Sequence, residues 1–279
     1  MPIEKIGTPE SVQNIAQSVV DTIKSKEENL IQMPGTDRRE SIFLCIKEMV
    51  DKTESDEQEE AILEAAADRC YLLNGVVAGD MLTVLVNEFS GHDHPKDVAK
   101  ISGQKVRHPL TMRISEDCAR IHRLGGHLDD NTALTISGNV GDFAGEKMDD
   151  PGSVFTVIGN VGTALGSSMS RGRIEVQGNA GDGAAFHLSG GEIIIRGNAG
   201  KNIGMGMTGG KLSIGGDVGE FAPDVFSPEN KGTIEVKGSD GSPVVIWSQG
   251  EIANVAEFKR YTEKINREAA AEDLRVLNG

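Results

Sequence analysis

The sequence predicts an α+β chain in three parts. A mainly helical region and connector covers 1–130, and a right-handed, single-stranded parallel β-helix covers 131–241. A capping helix segment covers 242–279. Three observations predict this. Glycine stands at 35 residues, far above ordinary usage, and nearly all the excess follows Gly125. Sequence markers recur in one phase over the same stretch. Before it, apolar residues keep helical spacing.

The helices come first. Thr8-Pro9-Glu10 supplies a hydroxyl N-cap, a proline at the first helical position and an acid in the first turn. Val12, Ile15, Ala16, Val19, Val20 and Ile23 follow on one face, Lys24 and Lys26 suit the carboxyl end, and Pro34-Gly35 breaks the element. A second helix is expected over Arg38–Val50, with Ile42, Ile46, Met49 and Val50 inward. A third opens on a Ser55-x-x-Gln58 capping box, carries Ile62, Ala65, Ala66 and Leu73, and stops at Gly75. Asp80 to Phe89 reads as a fourth helix, with Val84-Leu85-Val86 leaving a strand open. Polar outer and apolar inner faces predict a small bundle. In the connector, His108-Pro109 disfavours helix. Leu110 to Ile114 alternates like a strand, and Ser115 is expected to cap a short helix ending at Gly125-Gly126.

From Asn131 a tandem repeat takes over. Gly-(Asn/Asp)-(Val/Ala)-Gly begins at Gly138, Gly159, Gly178, Gly197 and Gly216, at intervals of 21, 19, 19 and 19. Met148, Met169, Leu188, Met207 and Phe226 keep the same phase. A glycine before a β-rich run recurs at Gly172, Gly191, Gly210 and Gly232. Each unit is read as two short strand-like pieces, such as Gly191 to Arg196 and Ile203 to Met207, joined by a glycine turn. Neither piece can bury its apolar face alone. Stacked like on like, the units pair backbone groups above and below and align the Ile/Val and Met positions into core columns. The glycines are expected to permit positive φ at the corners, and the Asn/Asp positions to stack. Open solenoid ends need covers. The helices can cap one end, and a helix carrying Val255, Phe258, Ile265 and Ala269 the other.

The unit Gly-Gly-x-Ile-x-Ile-x-Gly-Asn-Ala-Gly-x-x-x-Gly-x-x-Met, seen from Gly190 to Met207, resembles the GXGXG domain. That domain ends the large subunit of glutamate synthase. It also forms one whole subunit in formylmethanofuran dehydrogenase and in the related formyltransferase/hydrolase complex. The resemblance covers Asn131 to Gly238. It implies a right-handed β-helix without catalytic residues, packed between the subunits that do the chemistry. The expected role is a structural subunit of an oxidoreductase or formyl-transfer complex, with catalytic protein subunits as partners and no catalytic, cofactor-binding or metal residues of its own.

Charge and composition narrow the other classes. A net charge of −15 offers no positive footprint for nucleic acid or an anionic membrane. Cys45, Cys70 and Cys118 form no CxxC pair, which excludes an iron–sulfur run and fits a reducing cytoplasm. No secretory leader and no apolar run of about 20 residues is expected.

Several residues invite chemistry. Five of the six histidines lie between His92 and His127. His92-Asp93-His94, or Cys118 with His122 and His127, would supply metal ligands to a stand-alone enzyme, but their spacing matches no specific zinc motif. Gly204-x-Gly206-x-x-Gly209 lacks the following helix that holds a pyrophosphate. Ser167-Ser168 with His187 lacks a nucleophile elbow. Asp129-Asp130 and Asp149-Asp150 read as turn residues, and Met148, Met169 and Met207 as a core column instead of a soft-metal ladder. A free-standing oligomerisation module is the remaining alternative.

Overall fold

The structure is a computed structural model. It describes residues 10–50, 56–67, 69, 73, 75–91, 99–101, 104–106, 109–113, 121–128 and 131–263. The expected caps at Thr8 and Ser55, and Ile265 and Ala269, lie outside these residues. Four helices are followed by a β-solenoid and a carboxyl-terminal helix, an α+β architecture. No helix among the described residues is long and apolar enough to cross a membrane.

Helix α1 (Glu10–Gln32) buries Val12, Ala16, Val19, Val20 and Ile23 and packs on α3 (Asp56–Ala67). Helix α2 (Gly35–Val50) starts three residues earlier than expected, because the Pro34 carbonyl already accepts the Arg38 N–H at 2.9 Å. It packs on α4 (Gly75–Gly91). One expectation fails here, and the fourth helix, expected over Asp80 to Phe89, is present. Gly75 opens α4 instead of closing α3, which ends at Ala67. Val84, Leu85 and Val86 belong to α4 and are buried, so packing overrides their β-propensity.

The connector contains a hairpin, β1 (Ala99–Ile101) with β2 (Gln104–Val106), that the alternation did not reveal. Strand β3 (Pro109–Arg113) then begins a parallel ladder. It continues through β4 (Ala133–Ser137), β5 (Val154–Ile158), β6 (Arg173–Val176), β7 (Glu192–Ile195), β8 (Lys211–Ile214) and β9 (Thr233–Lys237). The stack thus begins one coil before the sequence marker does. In-register pairing puts Leu134, Phe155, Ile174, Ile193, Leu212 and Ile234 in one buried column. Ile136, Val157, Val176, Ile195, Ile214 and Val236 form a second. Single bridges align Val140, Val161, Ala180, Ala199 and Val218, and Met148, Met169, Leu188 and Met207 are buried as expected.

The second strand-like piece is not a strand. Over 203–207, and at the equivalent place in each coil, the backbone is a run of turns. Every second residue there has positive φ: Phe143, Gly145 and Lys147; Ala164, Gly166 and Ser168; Gly183, Ala185 and His187; Asn202, Gly204 and Gly206. Arg123, Gly125 and His127 repeat the pattern in the first coil, at 65°, 72° and 57°, where a helix end was expected. The N–H groups of one positive-φ residue and the next point in opposite directions along the stack. The Phe143 N–H therefore donates to Thr163 in the next coil at 2.8 Å, whereas that of Gly145 donates to Leu124 in the previous one at 2.9 Å.

The marker glycines form the expected ladder, for a different reason from the one anticipated. The Gly178 N–H donates to Gly159 at 3.0 Å, and that of Gly197 to Gly178 at 3.0 Å. After Gly138, whose φ is 140°, their φ is not positive; a Cβ on Gly159 or Gly178 would instead strike the carbonyl oxygen of the coil below. Stacking distance, not torsional freedom, demands glycine there. Beside them Asn139, Asn160, Asn179 and Asn198 each accept the N–H one coil on, at 2.8–2.9 Å, ending at Asp217.

The last coil is closed differently from the first. Strand β10 (Pro243–Ser248) returns antiparallel to β9 and is followed by β11 (Glu251–Ile252), inside a segment expected to be only a helix. Residues 255–263 are helical. Val255 is 57% exposed, contrary to expectation, because the inward face is set by Phe258 and Tyr261. These rings join Phe221, Phe226 and Trp247 in edge-to-face and stacked contacts, and the Tyr261 hydroxyl donates to the Lys237 carbonyl at 2.8 Å. In the last coil Asp224 occupies the place of Phe186 and Met205, whose carbonyls accept the N–H of Ser168 and His187; here the Asp224 carboxylate accepts the Gly206 N–H at 2.9 Å.

Candidate functional site

The strongest concentration of titratable groups among the described residues lies where α2 and α4 meet the first coil. Gly75, Gly79 and Thr83 share one face of α4, four residues apart. That face touches the coil backbone directly. The Gly75 carbonyl accepts the His122 N–H at 3.0 Å. A Cβ on Gly79 would overlap the His122 carbonyl. The Thr83 hydroxyl donates to the Gly79 carbonyl at 2.8 Å and accepts the Gly125 N–H at 3.1 Å. Helix and coil therefore meet with almost no side chain between them.

Asp80 sits beside this seam and is completely buried. Arg38 Nε lies 2.8 Å from one carboxylate oxygen. Arg39 Nη1 lies 3.2 Å and Arg123 Nε 3.7 Å from the other. Arg123 also reaches Glu146 at 2.7 Å, which ties the second coil into the network. Burial pushes the Asp80 carboxyl up, against the pull of Arg39, Arg123 and Arg38. Burial also draws the Arg39 guanidinium down. Desolvation dominates both partners, so the network specifies how the two parts dock more than it adds net stability.

His127 closes the cluster from the coil side, its N–H donating to the Glu146 carbonyl at 3.0 Å. Burial, then Arg39, Lys147 and Arg123, push its imidazole down to about 4, against the opposing pull of Asp149. At neutral pH the ring is uncharged.

A second locus is an open groove of about 450 Å³ on the coil surface, lined by His122, Asn139, Val140, Gly141, Asp142, Asn160, Val161 and Gly162. His122 Nδ1 accepts the Asp142 N–H at 2.9 Å, which leaves the neutral ring's proton on Nε2. Beside Val140 and Val161, the lining offers backbone, two amides, one imidazole and one carboxylate, groups suited to hydrogen bonding.

The residues singled out by sequence are placed as follows. His92, Asp93, His94, His108, Cys118, Asp129 and Asp130 lie outside the described residues. His122 faces Asp142 in the groove, whereas His127 faces the arginine cluster, so the two are not brought to one centre. No group of three or more His, Cys, Asp or Glu among the described residues could hold a metal ion. In the formal glycine motif the N–H groups are engaged: Gly204 with Ala184, Gly206 with Asp224, and Gly209 with Leu188. His187 is exposed at φ 53° and packs edge-to-face on Phe186. Its N–H donates to the Met205 carbonyl at 2.8 Å, and that of Ser168 to Phe186 at 2.7 Å, so the backbone bonds here run between coils and assemble no serine–histidine pair. Asp150 is a turn residue, accepting the Gly152 N–H at 2.7 Å.

The junction itself was missed. Its sequence signal was the Gly75-x-x-x-Gly79-x-x-x-Thr83 spacing, with one acid, Asp80, inside the apolar run from Val76 to Val86. The arginines that meet this acid come from two places remote from it in the chain, Arg38-Arg39 and Arg123, and no local pattern announces that. No family model matches the chain, and neither a curated protein nor a solved structure is significantly similar to it.

Proposed function

We propose that the chain is a non-catalytic structural subunit of a multi-subunit oxidoreductase or formyl-transfer complex, with a role similar to that of the GXGXG domain in glutamate synthase and formylmethanofuran dehydrogenase. In this reading the coil is right-handed and single-stranded, as in that family. Its partners are catalytic protein subunits, not nucleic acid or membrane, and its compartment is the cytoplasm, where Cys45 stays a free thiol.

One observation carries the reading: the coil is covered at both ends while its sides stay open. Helices seat on the first coil through Asp80 and Thr83, and the β10–β11 hairpin with its aromatic cluster seats on the last. What remains for contact is a set of side faces held rigid by backbone and asparagine ladders. Rigid, preorganised faces lower the ordering cost of association. The test is purification under native conditions. The expected result is co-elution at fixed stoichiometry with a second protein that holds flavin, molybdopterin or an amidohydrolase centre. A monomer or a pure homo-oligomer from the same lysate overturns the proposal, the second outcome favouring an oligomerisation module.

A further inference from the structure

We propose, resting on the structural role above, that the catalytic partner docks on the face formed by the turn runs of the second to fifth coils. The partner presents a patch that is uncharged in the middle and basic at the edge. Four runs build the face: 143–148, 164–169, 183–188 and 202–207. Ala144, Leu165, Ala184 and Ile203 are buried beneath it. Outward, Phe143 is 42% and Met205 38% exposed, and Phe186 is half-buried. Aromatic side chains and methionine are residues that protein interfaces concentrate. The corner N–H groups are bonded between coils, so the face loses little freedom on contact.

Charge separates this face from the others. The chain carries −15, yet the four runs include a single acid, Glu146, and a single base, Lys147. Glu146 is already held by Arg123 at 2.7 Å. Acids dominate the residues that flank the runs, where Asp142, Asp149, Asp150 and Asp182 outnumber Lys201 and Arg171. An uncharged centre with an acidic border is complementary to a protein patch that is apolar in the middle and basic at its edge. The outer face of the sheet lacks this pattern. Arg173 is paired there with Glu175 and Glu192, and Lys211 with Glu192 and Glu235. Covering those pairs would strip their water and supply no new partner. The turn face also has room for an incoming side chain. Gly183 has a φ of +69°, and the nearest atom to an added Cβ is 3.9 Å away.

The test uses the complex purified with the full chain. Under hydroxyl-radical footprinting, Phe143 and Met205 should be protected relative to the chain expressed alone, whereas Ile158 in β5, 53% exposed, should not. The partner's protected surface should carry lysine and arginine around an uncharged centre. Gly183→Asn suits the positive φ and enters open space, and should lower recovery of the catalytic subunit roughly 10-fold. Met205→Gln, outside the positive-φ corners, should lower it in the same direction, so a Gly183 variant that fails to fold does not stop the test. Arg196→Ala on the sheet should leave recovery unchanged. Protection of Ile158, with recovery lost in Arg196→Ala but kept in Gly183→Asn, overturns the face and leaves the structural role standing. An acidic partner surface overturns the stated occupant. A wild-type chain that purifies without a catalytic subunit overturns both the face and the role. A homo-oligomer dispersed by Gly183→Asn assigns the face to a second copy and overturns the proposal as well.

Discussion

A methyl group added at Gly178 has no space, because the carbonyl of Gly159 already occupies it. At Gly183 the opposite holds: φ is +69°, yet the nearest atom to a new Cβ is 3.9 Å away. These residues separate two reasons for glycine. Gly178→Ala should cost about 3 kcal/mol through steric overlap repeated against a rigid stack. Gly183→Ala should cost about 1 kcal/mol, the penalty of a left-handed alanine alone, since Ala164 stands in the same column. Paired denaturant titrations measure the contrast, and equal losses would show that torsion governs both. The repeat made these glycines conspicuous in the sequence, but not which of them is steric. The distance to the coil below decides that, and no single unit contains it. Asp224 is a second such case. It breaks the repeat, and only the structure reveals its carboxylate as a substitute for the backbone carbonyl that earlier coils place there.

At the scale of elements, α4 is the member that joins the two parts. Its Gly75, Gly79 and Thr83 face admits the coil backbone, and Asp80 gathers arginines from α2 and the first coil. Asp80→Ala should leave those guanidiniums buried without a counter-charge and cost about 4 kcal/mol, read from urea unfolding. A loss below about 1 kcal/mol would mean that water reaches the cluster. The sheet's outer face behaves differently. Arg173 bridges Glu175 and Glu192, and Arg196 reaches Glu175 at 2.8 Å. Burial pushes the Glu175 carboxyl up, but hydrogen bonds from Arg196 and Arg173 outweigh it and hold it below the usual range. These pairs face solvent, so replacing Arg196 by Ala should change stability by no more than about 0.5 kcal/mol. At the far end, Phe258→Ala should cost about 2 kcal/mol by opening the aromatic cover over Phe226 and Trp247. Helix existence was legible from apolar spacing. The roles of Gly75 and Asp80 were not, because each is defined by a surface that the chain supplies only much later, at Ile121 to Gly125.

For the whole molecule, one continuous buried cluster runs from Val12 in α1 to Tyr261 in the carboxyl-terminal helix. The helices are thus the first layer of the solenoid's core as much as a bundle of their own. Unfolding in urea should therefore be a single transition reported identically by Trp247 fluorescence and by far-ultraviolet dichroism. Two separated transitions at neutral pH would show that the seam at Asp80 is weaker than its burial implies. Repeat architectures add stability coil by coil, so the middle coils, with neighbours on both sides, should hold the slowest-exchanging amides.

The sequence by itself determined the period, the phase and hence the columns, because a side chain that must lie above its equivalent has to recur at a constant interval. Gly138 to Gly216 and Met148 to Met207 recorded that constraint directly. Only the tertiary structure decided how the coil begins and ends. The first coil, at Leu110 to Leu128, carries no marker motif, since its lower neighbour is α4 and not another coil. The last is closed by β10 and a set of rings. An end is defined by what it lacks on one side, so its residues answer to partners distant in sequence and follow no period.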